Sequence, residues 1–179
     1  MTAVAGAAVP PDGKDWTWVL QRPCPECGLQ ASEVAAGDVA GRLRRATDAW
    51  VGVLSRDDVR VRPRPGVWSP LEYACHVRDV HAVYDARLRL MLETDDPLYP
   101  NWDQDATALA SDYPGQGPVV VADELRTSGF ALADRFAGVA DWSRPGRRSD
   151  GASFTVGSFA QYLLHDVEHH LWDVRAARG

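Results

Sequence analysis

Ser69-Pro70-Leu71-Glu72 is the stretch that decides the fold, because it contains a complete set of helix-start signals. Ser69 can cap the backbone, Pro70 has the φ angle of a first helical residue, and Glu72 can reach back to the cap. We predict that this capping box opens a helix that extends to about Glu93. Three other segments have apolar residues at helical spacing, and almost no segment alternates with the period of a strand. The sequence therefore predicts an all-α protein.

The other predicted helices lie on either side of this one. The first begins at Asp38 as its N-cap, and its apolar stripe consists of Val39, Leu43, Ala46, Trp50 and Val53. The third covers about residues 119–140, and its stripe consists of Leu125, Leu132, Phe136 and Val139. The fourth runs from Thr155 or Ser158 to Ala177. Helices with one apolar face bury that face against each other, as in a helix bundle.

We predict one four-helix bundle at residues 35–179, preceded by an N-terminal extension at residues 1–34. A long loop at residues 94–118, rich in Asp, Pro and Trp, joins the second and third helices. Loops of this length are unusual in bundles and often carry functional residues.

Composition argues against several classes of protein. The 179 residues have a formal net charge of −6, which does not favour contact with the phosphates of nucleic acids. No apolar stretch is long enough to span a bilayer, and the first residues lack the features of a signal peptide. Three cysteines are too few for a secreted disulfide scaffold. We expect a cytoplasmic protein without nucleic-acid or membrane partners. A homodimer is possible, although no exposed apolar stripe requires one.

Helix phase separates the three histidines of the last predicted helix. The core stripe of that helix consists of Phe159, Leu163, Val167 and Val174. At about 100° per residue, Asp166 and His170 lie within about 60° of that stripe, whereas His165 and His169 face solvent. Residues 165–169 also match the H-x-x-E-H pattern of one metalloprotease class. We reject that interpretation, because the two histidines of the pattern point away from the other helices.

The same phase argument places His76 on the core stripe of the second helix and His81 on the opposite side. An inward His on one helix can meet an inward Asp and His on another, and bundle cores are where such metal sites are built. We therefore predict that His76, Asp166 and His170 bind a divalent metal ion. The alternative is a buried ion pair of His76 with Asp166, with His170 bonded to a backbone carbonyl.

The segments that contain these residues resemble the metal-binding motifs of the DinB/YfiT superfamily. Residues 67–76 are similar to that family's W-[ST]-x-x-E/D-x-x-x-H segment, whose final His is a metal ligand. Residues 166–174 resemble the mycothiol-dependent maleylpyruvate isomerase branch, in which an acidic residue precedes a His by four positions. This register makes Asp166 and His170 ligands. The isomerase has Glu where this chain has Asp166, so the shorter side chain requires closer helices or a bridging water.

The resemblance implies a metal ion that binds a low-molecular-weight thiol such as mycothiol. It implies a thiol S-transferase or isomerase that acts on a small electrophilic substrate. We expect zinc, although nickel, iron and manganese also suit two His and a carboxylate. Three protein ligands leave coordination positions open, as in catalytic sites. The alternatives are a metal-dependent hydrolase, a non-haem iron oxygenase, and a metal-binding module without turnover.

Four further residues are candidates for substrate binding. They are Trp102, Asp103 and Asp105 in the long loop, and Arg87 on the His76 face of the second helix. The alternatives are that Trp102 pins the loop to the bundle and that Arg87 forms a salt bridge.

The N-terminal extension contains a C-x-x-C pair, Cys24 and Cys27. A structural zinc site needs four ligands, and the sequence shows no second pair that would complete one. We interpret the pair as two reduced thiols, with a labile disulfide as the alternative.

Overall fold

The structure is a computed structural model, and it describes residues 9–10 and 15–177. Its helices are α1 (Ala36–Leu54), α2 (Pro70–Glu93), α3 (Gln104–Ala110), α4 (Pro118–Ala137) and α5 (Val156–Ala176). Helices α1, α2, α4 and α5 form a four-helix bundle, and α3 is a short helix in the long loop. The predicted all-α fold class is confirmed.

The bundle core lies between the four apolar faces. Helices α1 and α2 each pack against both α4 and α5, so the order around the bundle is α1, α4, α2, α5. The predicted stripes of α1 and α5 are buried, as are Leu125, Leu132 and Phe136 of α4. Trp50 of α1 is fully buried, and its indole nitrogen donates to the carbonyl of Val167 at 3.2 Å. This bond connects α1 to the helix that carries most of the candidate site.

Helix α2 begins and ends where the sequence predicts. The backbone N–H of Glu72 donates to the Ser69 hydroxyl at 3.3 Å, and the Ser69 N–H donates to the Glu72 carboxylate at 2.8 Å. Both bonds of the capping box are present, and Pro70 is the first helical residue. Arg62, in the preceding loop, pairs with the same Glu72 carboxylate. The start of α2 is therefore tied to the loop before it.

The start of α1 differs from the prediction. The helix begins at Ala36, and Ala35 is the N-cap without a side-chain bond. Asp38 is in the first turn, where a carboxylate stabilises the helix through the positive end of its dipole. An Asp is favourable both as an N-cap and in the first turn of a helix, so the residue type alone did not show which of the two positions Asp38 occupies.

A small sheet was missed by the sequence reasoning. It consists of β1 (Leu98–Tyr99), β2 (Pro145–Arg148) and β3 (Ser153–Thr155), in that order. Strand β1 pairs in parallel with β2, and β2 pairs antiparallel with β3. The sheet joins the long loop to the turn before α5. Strands of two to four residues are too short to show alternation.

The described part of the predicted extension lies along α5. Its two short 3₁₀ helices, Thr17–Leu20 and Ala31–Glu33, both contact α5, and Val19 and Ala31 are fully buried. Residues 1–8 and 11–14 of the extension lie outside the described residues. The division into an extension and a bundle stays a prediction. Within the described residues, no helix has the length and apolar composition needed to cross a membrane.

Candidate metal centre

Helices α2 and α5 bring His76, Asp166 and His170 together. His76 Nε2 lies 3.4 Å from Asp166 Oδ1, and His170 Nε2 lies 3.2 Å from the same oxygen. The planes of the two imidazoles are nearly perpendicular, at 82°. One ligand atom from each residue lies within 4.8 Å of the others, which is the spacing of a site for one metal ion. The pairing of Asp166 with His170 follows from their i,i+4 spacing on α5.

Two histidine nitrogens and one carboxylate oxygen form a donor set that suits a divalent transition-metal ion. His76 is buried, and its Nδ1 has no hydrogen-bond partner among the described residues. The Asp166 and His170 side chains are 26% and 22% exposed, so solvent reaches one side of the cluster. The residues therefore fit a metal ion, and the exposed side leaves room for a further ligand.

Charge is arranged around the cluster so that the carboxylate is ionised. Burial alone would raise the pKa of Asp166, but hydrogen bonds from His170 and His76 hold that pKa well below its usual range. Burial alone would lower the pKa of His170, but its bonds to Asp166 and Asp173 raise that pKa to about 9. The carboxylate is thus already in the form that binds metal, and an ion would take the place of the His170 proton.

Asp173 orients the His170 ring. Its Oδ2 accepts a hydrogen bond from His170 Nδ1 at 2.8 Å, which leaves Nε2 directed at Asp166. Metal-binding imidazoles commonly bond a carboxylate through their second nitrogen in this way. Asp173 was not predicted as a functional residue, although it lies three residues after His170, on the same face of α5.

Three aromatic rings enclose the histidines. Trp68 contacts His76 with ring centroids 5.5 Å apart, and Tyr73 contacts His170 at 5.0 Å. Trp102, from the long loop, stacks on His76 at 5.6 Å with the planes 9° apart. The indole nitrogen of Trp102 donates to Thr107 of α3 at 2.8 Å, so the loop holds that ring in place. The rings cover His76, whereas His170 and Asp166 each keep one exposed side.

A cleft of about 280 Å³ lies behind residues that contact this cluster, although none of the three candidate ligands lines it. Trp68, Tyr73 and Asp173 line part of it, and each of these contacts one of the two site histidines. Arg56, Asp58 and Pro70 are among the remaining lining residues. The cleft is slightly smaller than a typical ligand pocket, and it is separated from the candidate metal ligands by Trp68, Tyr73 and Asp173.

The predicted substrate-binding residues differ in where they lie. Trp102 reaches the cluster, whereas Asp103 caps α3 by accepting a bond from the N–H of Ala106 at 2.8 Å. Asp105 is half-buried in the first turn of α3. Arg87 is eleven residues, about 16 Å of helix, beyond His76 on α2. It donates to the carbonyl of Pro100 at 2.8 Å and lies over the Tyr99 ring, so it fastens the loop. A substrate contact by any of the four stays a prediction.

Three histidines predicted to lie away from the core are buried, which corrects the phase argument. His81 is fully buried against α4, with its Nδ1 3.3 Å from the Ser128 hydroxyl. His165 and His169 are only 3% and 6% exposed. The prediction holds only for a helix that is buried on one face. Helix α2, however, is covered by α4 as well as α5, and the N-terminal segment covers the outer side of α5.

The fold and the cluster together define a class of protein, the helical bundle whose His, Asp, His donor set suits a divalent metal ion. A sequence profile of the DinB superfamily matches residues 40–174, and the chain therefore belongs to that superfamily. No curated protein matched the chain.

Among solved structures, the fold is similar to that of YfiT from Bacillus subtilis. The TM-score is 0.63 at 18% sequence identity, and the match covers 97% of this chain and 93% of that one. YfiT is described as a probable metal-dependent hydrolase with an unusual four-helix bundle topology. The similarity supports the bundle fold, and it extends over nearly all of both chains.

Proposed function

We propose that His76, Asp166 and His170 hold a divalent metal ion in a catalytic site. The observation that carries this proposal is the convergence of two imidazole nitrogens on one carboxylate oxygen at 3.2 and 3.4 Å, with one side open to solvent. Zinc is the proposed ion, with nickel, iron or manganese as alternatives. Three protein ligands and an open side are typical of catalytic rather than structural zinc sites.

The proposed reaction uses a low-molecular-weight thiol, of the mycothiol type, for S-transfer to or isomerisation of a small electrophile. A bound divalent ion lowers the pKa of a coordinated thiol or water, so that it is deprotonated at neutral pH. The support for a thiol comes from the resemblance of residues 67–76 and 166–174 to the isomerase branch of the superfamily.

The residues of this chain would position the reactants. Asp173 fixes the His170 ring, and Trp102 stacks on His76 and excludes water from that side. The cleft beside Trp68 and Tyr73 would hold the organic part of the thiol or of its electrophile. Arg56, which lines the same cleft, could pair with a carboxylate on either reactant in addition to its bond with Asp58.

Hydrolysis by metal-activated water is the second candidate, because YfiT is described as a probable metal-dependent hydrolase. The two reactions need the same three ligands and differ in the nucleophile. A module that binds metal without turnover is the third candidate, and the experiment below separates all three.

The test measures metal content by elemental analysis and the consumption of a panel of electrophiles and esters, each with and without thiol. Asp166→Asn removes the charge of the shared ligand with little change in shape. Asp123→Asn, on the exposed face of α4, is the matched control. We expect the wild type to show thiol-dependent turnover. The Asp166 variant should lose this turnover and one metal ion per chain, and the control should keep both.

Turnover of an ester without thiol, lost in the same variant, would replace the transferase with the hydrolase. Metal lost in the Asp166 variant, with no turnover under any condition, would leave the binding module. Metal content and turnover unchanged by Asp166→Asn would refute the site itself.

A further inference from the structure

A second cluster of metal-type ligands lies on the other side of α5. Cys24, Cys27, His165 and His169 each place one ligand atom within 4.8 Å of the other three. Cys24 Sγ lies 3.7 Å from His169 Nδ1, and the His165 and His169 rings stack at 4.9 Å. The thiols come from the N-terminal segment and the imidazoles from α5. These are the two C-x-x-C thiols for which the sequence reasoning found no second ligand pair.

The ligand types and their spacing are those of a zinc site. Two residues separate the cysteines and three separate the histidines, which matches the C-x₂₋₄-C and H-x₃₋₅-H spacings of Cys₂His₂ sites. Ligand atoms at about 2.0–2.3 Å from a zinc ion lie about 3.3–3.8 Å from one another in a tetrahedron. The cluster is therefore close to tetrahedral dimensions already, and a small contraction would complete it.

Burial supports the same conclusion. Cys24, His165 and His169 are 1%, 3% and 6% exposed, and His165 Nε2 has no hydrogen-bond partner among the described residues. A buried imidazole nitrogen without a partner is unusual in a folded protein unless something unseen binds it. Two thiolates would balance the charge of one zinc ion, so the occupied cluster would be neutral and would suit a buried position.

The backbone around the cysteines forms a tight turn that directs both thiols to one side. The N–H of Gly28 donates to the Cys24 carbonyl at 2.9 Å, and the N–H of Cys24 donates to the Leu29 carbonyl at 2.9 Å. Gly28 has a φ of +74°, which favours glycine at this position. The turn thus holds two ligands before any ion binds.

Aromatic rings cover the two imidazoles of the cluster, whereas Cys27 is half-buried and lines a cleft of about 410 Å³. Trp16 packs against the rings of His165 and His169, with centroids 5.5 and 5.2 Å apart, and Trp172 contacts His169 at 5.6 Å. Glu26 Oε2 lies 3.4 Å from His169 Nε2, the nitrogen that faces away from Cys24. A carboxylate behind a ligating imidazole is the usual arrangement in metal sites. Four protein ligands under an aromatic cover leave no open position, which is typical of structural zinc.

We propose that Cys24, Cys27, His165 and His169 form a structural zinc site that fastens the N-terminal segment to α5. This proposal is independent of the function proposed for the His76 cluster. Helix α5 then serves two ions with two i,i+4 pairs offset by one residue, His165 with His169 and Asp166 with His170. A one-residue offset turns the pairs by about 100°, so one faces the N-terminal segment and the other faces α2.

The test counts zinc ions per chain in the full-length protein purified with a reductant. We expect two ions in the wild type, one in the Cys24→Ser/Cys27→Ser double variant, and one in Asp166→Ala. Cys75→Ser is the matched control, because Cys75 is a buried thiol of α2 outside the cluster, and it should keep both ions. Circular dichroism establishes that each variant is folded.

Cobalt substitution shows directly whether thiolates bind the ion. Cobalt bound by thiolates gives a near-ultraviolet charge-transfer band, which two imidazoles and a carboxylate cannot give. We expect the band in the wild type and in Asp166→Ala. If the wild type binds one ion per chain and shows the band, the His76 site would be refuted and the cysteine–histidine site supported. Cobalt bound without the band would overturn the present proposal, as would a Cys24–Cys27 disulfide in the reduced preparation or an unchanged zinc count in the double variant.

Discussion

The imidazole of His170 lies between two carboxylates, and they have different roles. Asp166 shares its oxygen with His76 and is the candidate ligand, whereas Asp173 bonds the opposite nitrogen at 2.8 Å. Asp173 fixes the orientation of the His170 ring and would not itself touch a bound ion. Its removal should weaken metal binding without abolishing it, because the three ligands remain.

Asp173→Asn is therefore expected to lower the metal affinity of the His76 cluster about 10- to 100-fold, as is usual for such supporting carboxylates. Competition with a chelator of known affinity measures the change, and circular dichroism checks the fold. Asp123→Asn is the exposed control. The cobalt–thiolate band monitors the other cluster separately, since Asp173 also lies 3.9 Å from His169. An affinity equal to that of the wild type would show that Asp173 does not orient the ligand.

The role of a residue could be predicted from the sequence where neighbouring residues determine its environment. The prediction was wrong where a segment distant in the chain determines that environment. The capping box of Ser69 and Glu72 needs only four consecutive residues, and it is present as predicted. His165 and His169 were predicted to face solvent, but the segment around Trp16 covers them. Helical periodicity cannot show that a distant segment of the chain packs on the outer side of a helix. The C-x-x-C and H-x-x-x-H spacings, taken together, were the available signal for that contact.

At the scale of elements, the close approach of α1, α2 and α4 depends on Gly129. A Cβ atom at this position would lie 2.8 Å from His81 Cε1 and 2.9 Å from Thr47 Cγ2, both buried side chains. These contacts are shorter than van der Waals packing permits, so the Thr47 and His81 side chains, or the helices that carry them, would have to move. The glycine is needed for space and not for its backbone angles.

Gly129→Ala should lower the free energy of unfolding by about 1–3 kcal/mol, because overpacking outweighs the better helix propensity of alanine. Chemical denaturation measures the change. Gly52→Ala is the control, since its Cβ meets nothing within 4 Å and the substitution should stabilise α1 by up to about 1 kcal/mol. Equal effects of the two substitutions would contradict the packing argument.

The start of α2 should make stability depend on acid pH. Burial alone would raise the pKa of Glu72, but hydrogen bonds from Arg62 and Ser69 lower it further than burial raises it, so the net pKa is below the ordinary value. A lowered folded-state pKa contributes stability above the ordinary pKa of a glutamate, near 4.5. That contribution is lost as the pH falls through the folded-state pKa.

Glu72→Gln should therefore destabilise the protein at neutral pH by about 1–3 kcal/mol and flatten the decline in stability at acid pH. Unfolding curves measured between neutral and strongly acid pH give both effects. Glu93→Gln, at the exposed end of α2, should leave the wild-type pH profile intact. A Glu72→Gln variant that loses stability in acid as steeply as the wild type would rule out this contribution.

At the scale of the whole molecule, the bundle and the N-terminal segment depend on different interactions. The bundle has a continuous core contributed mainly by four helices, and Val34 of the N-terminal segment is part of the same buried cluster. The segment from residue 15 to residue 35 buries few apolar side chains, including Val19, Ala31 and Val34, and meets α5 through the cysteine–histidine cluster. Its attachment should therefore depend on zinc, while the bundle should persist without it.

Chelation should expose the segment to proteolysis before the bundle unfolds. We expect chymotrypsin to cleave near Trp16, Trp18 and Leu20 in the presence of a chelator and to leave the chain from residue 36 onward intact, as measured by mass spectrometry. The Cys24→Ser/Cys27→Ser variant should be cleaved with or without the chelator, whereas Asp166→Ala in zinc should be protected. Cleavage of the wild type at one rate in zinc and in chelator would show that the segment is held by packing alone.

The cluster of Cys24, Cys27, His165 and His169 joins points near both ends of the described chain. With zinc bound at this proposed site, a pulling force applied at Asp15 and Ala177 would pass from the cysteines to the histidines through the ion. Residues 28–164 would carry no tension until a metal–ligand bond broke. Under load, the protein would extend very little and then lengthen abruptly, and the force at that rupture would be set by zinc chemistry instead of by the strength of the helical core.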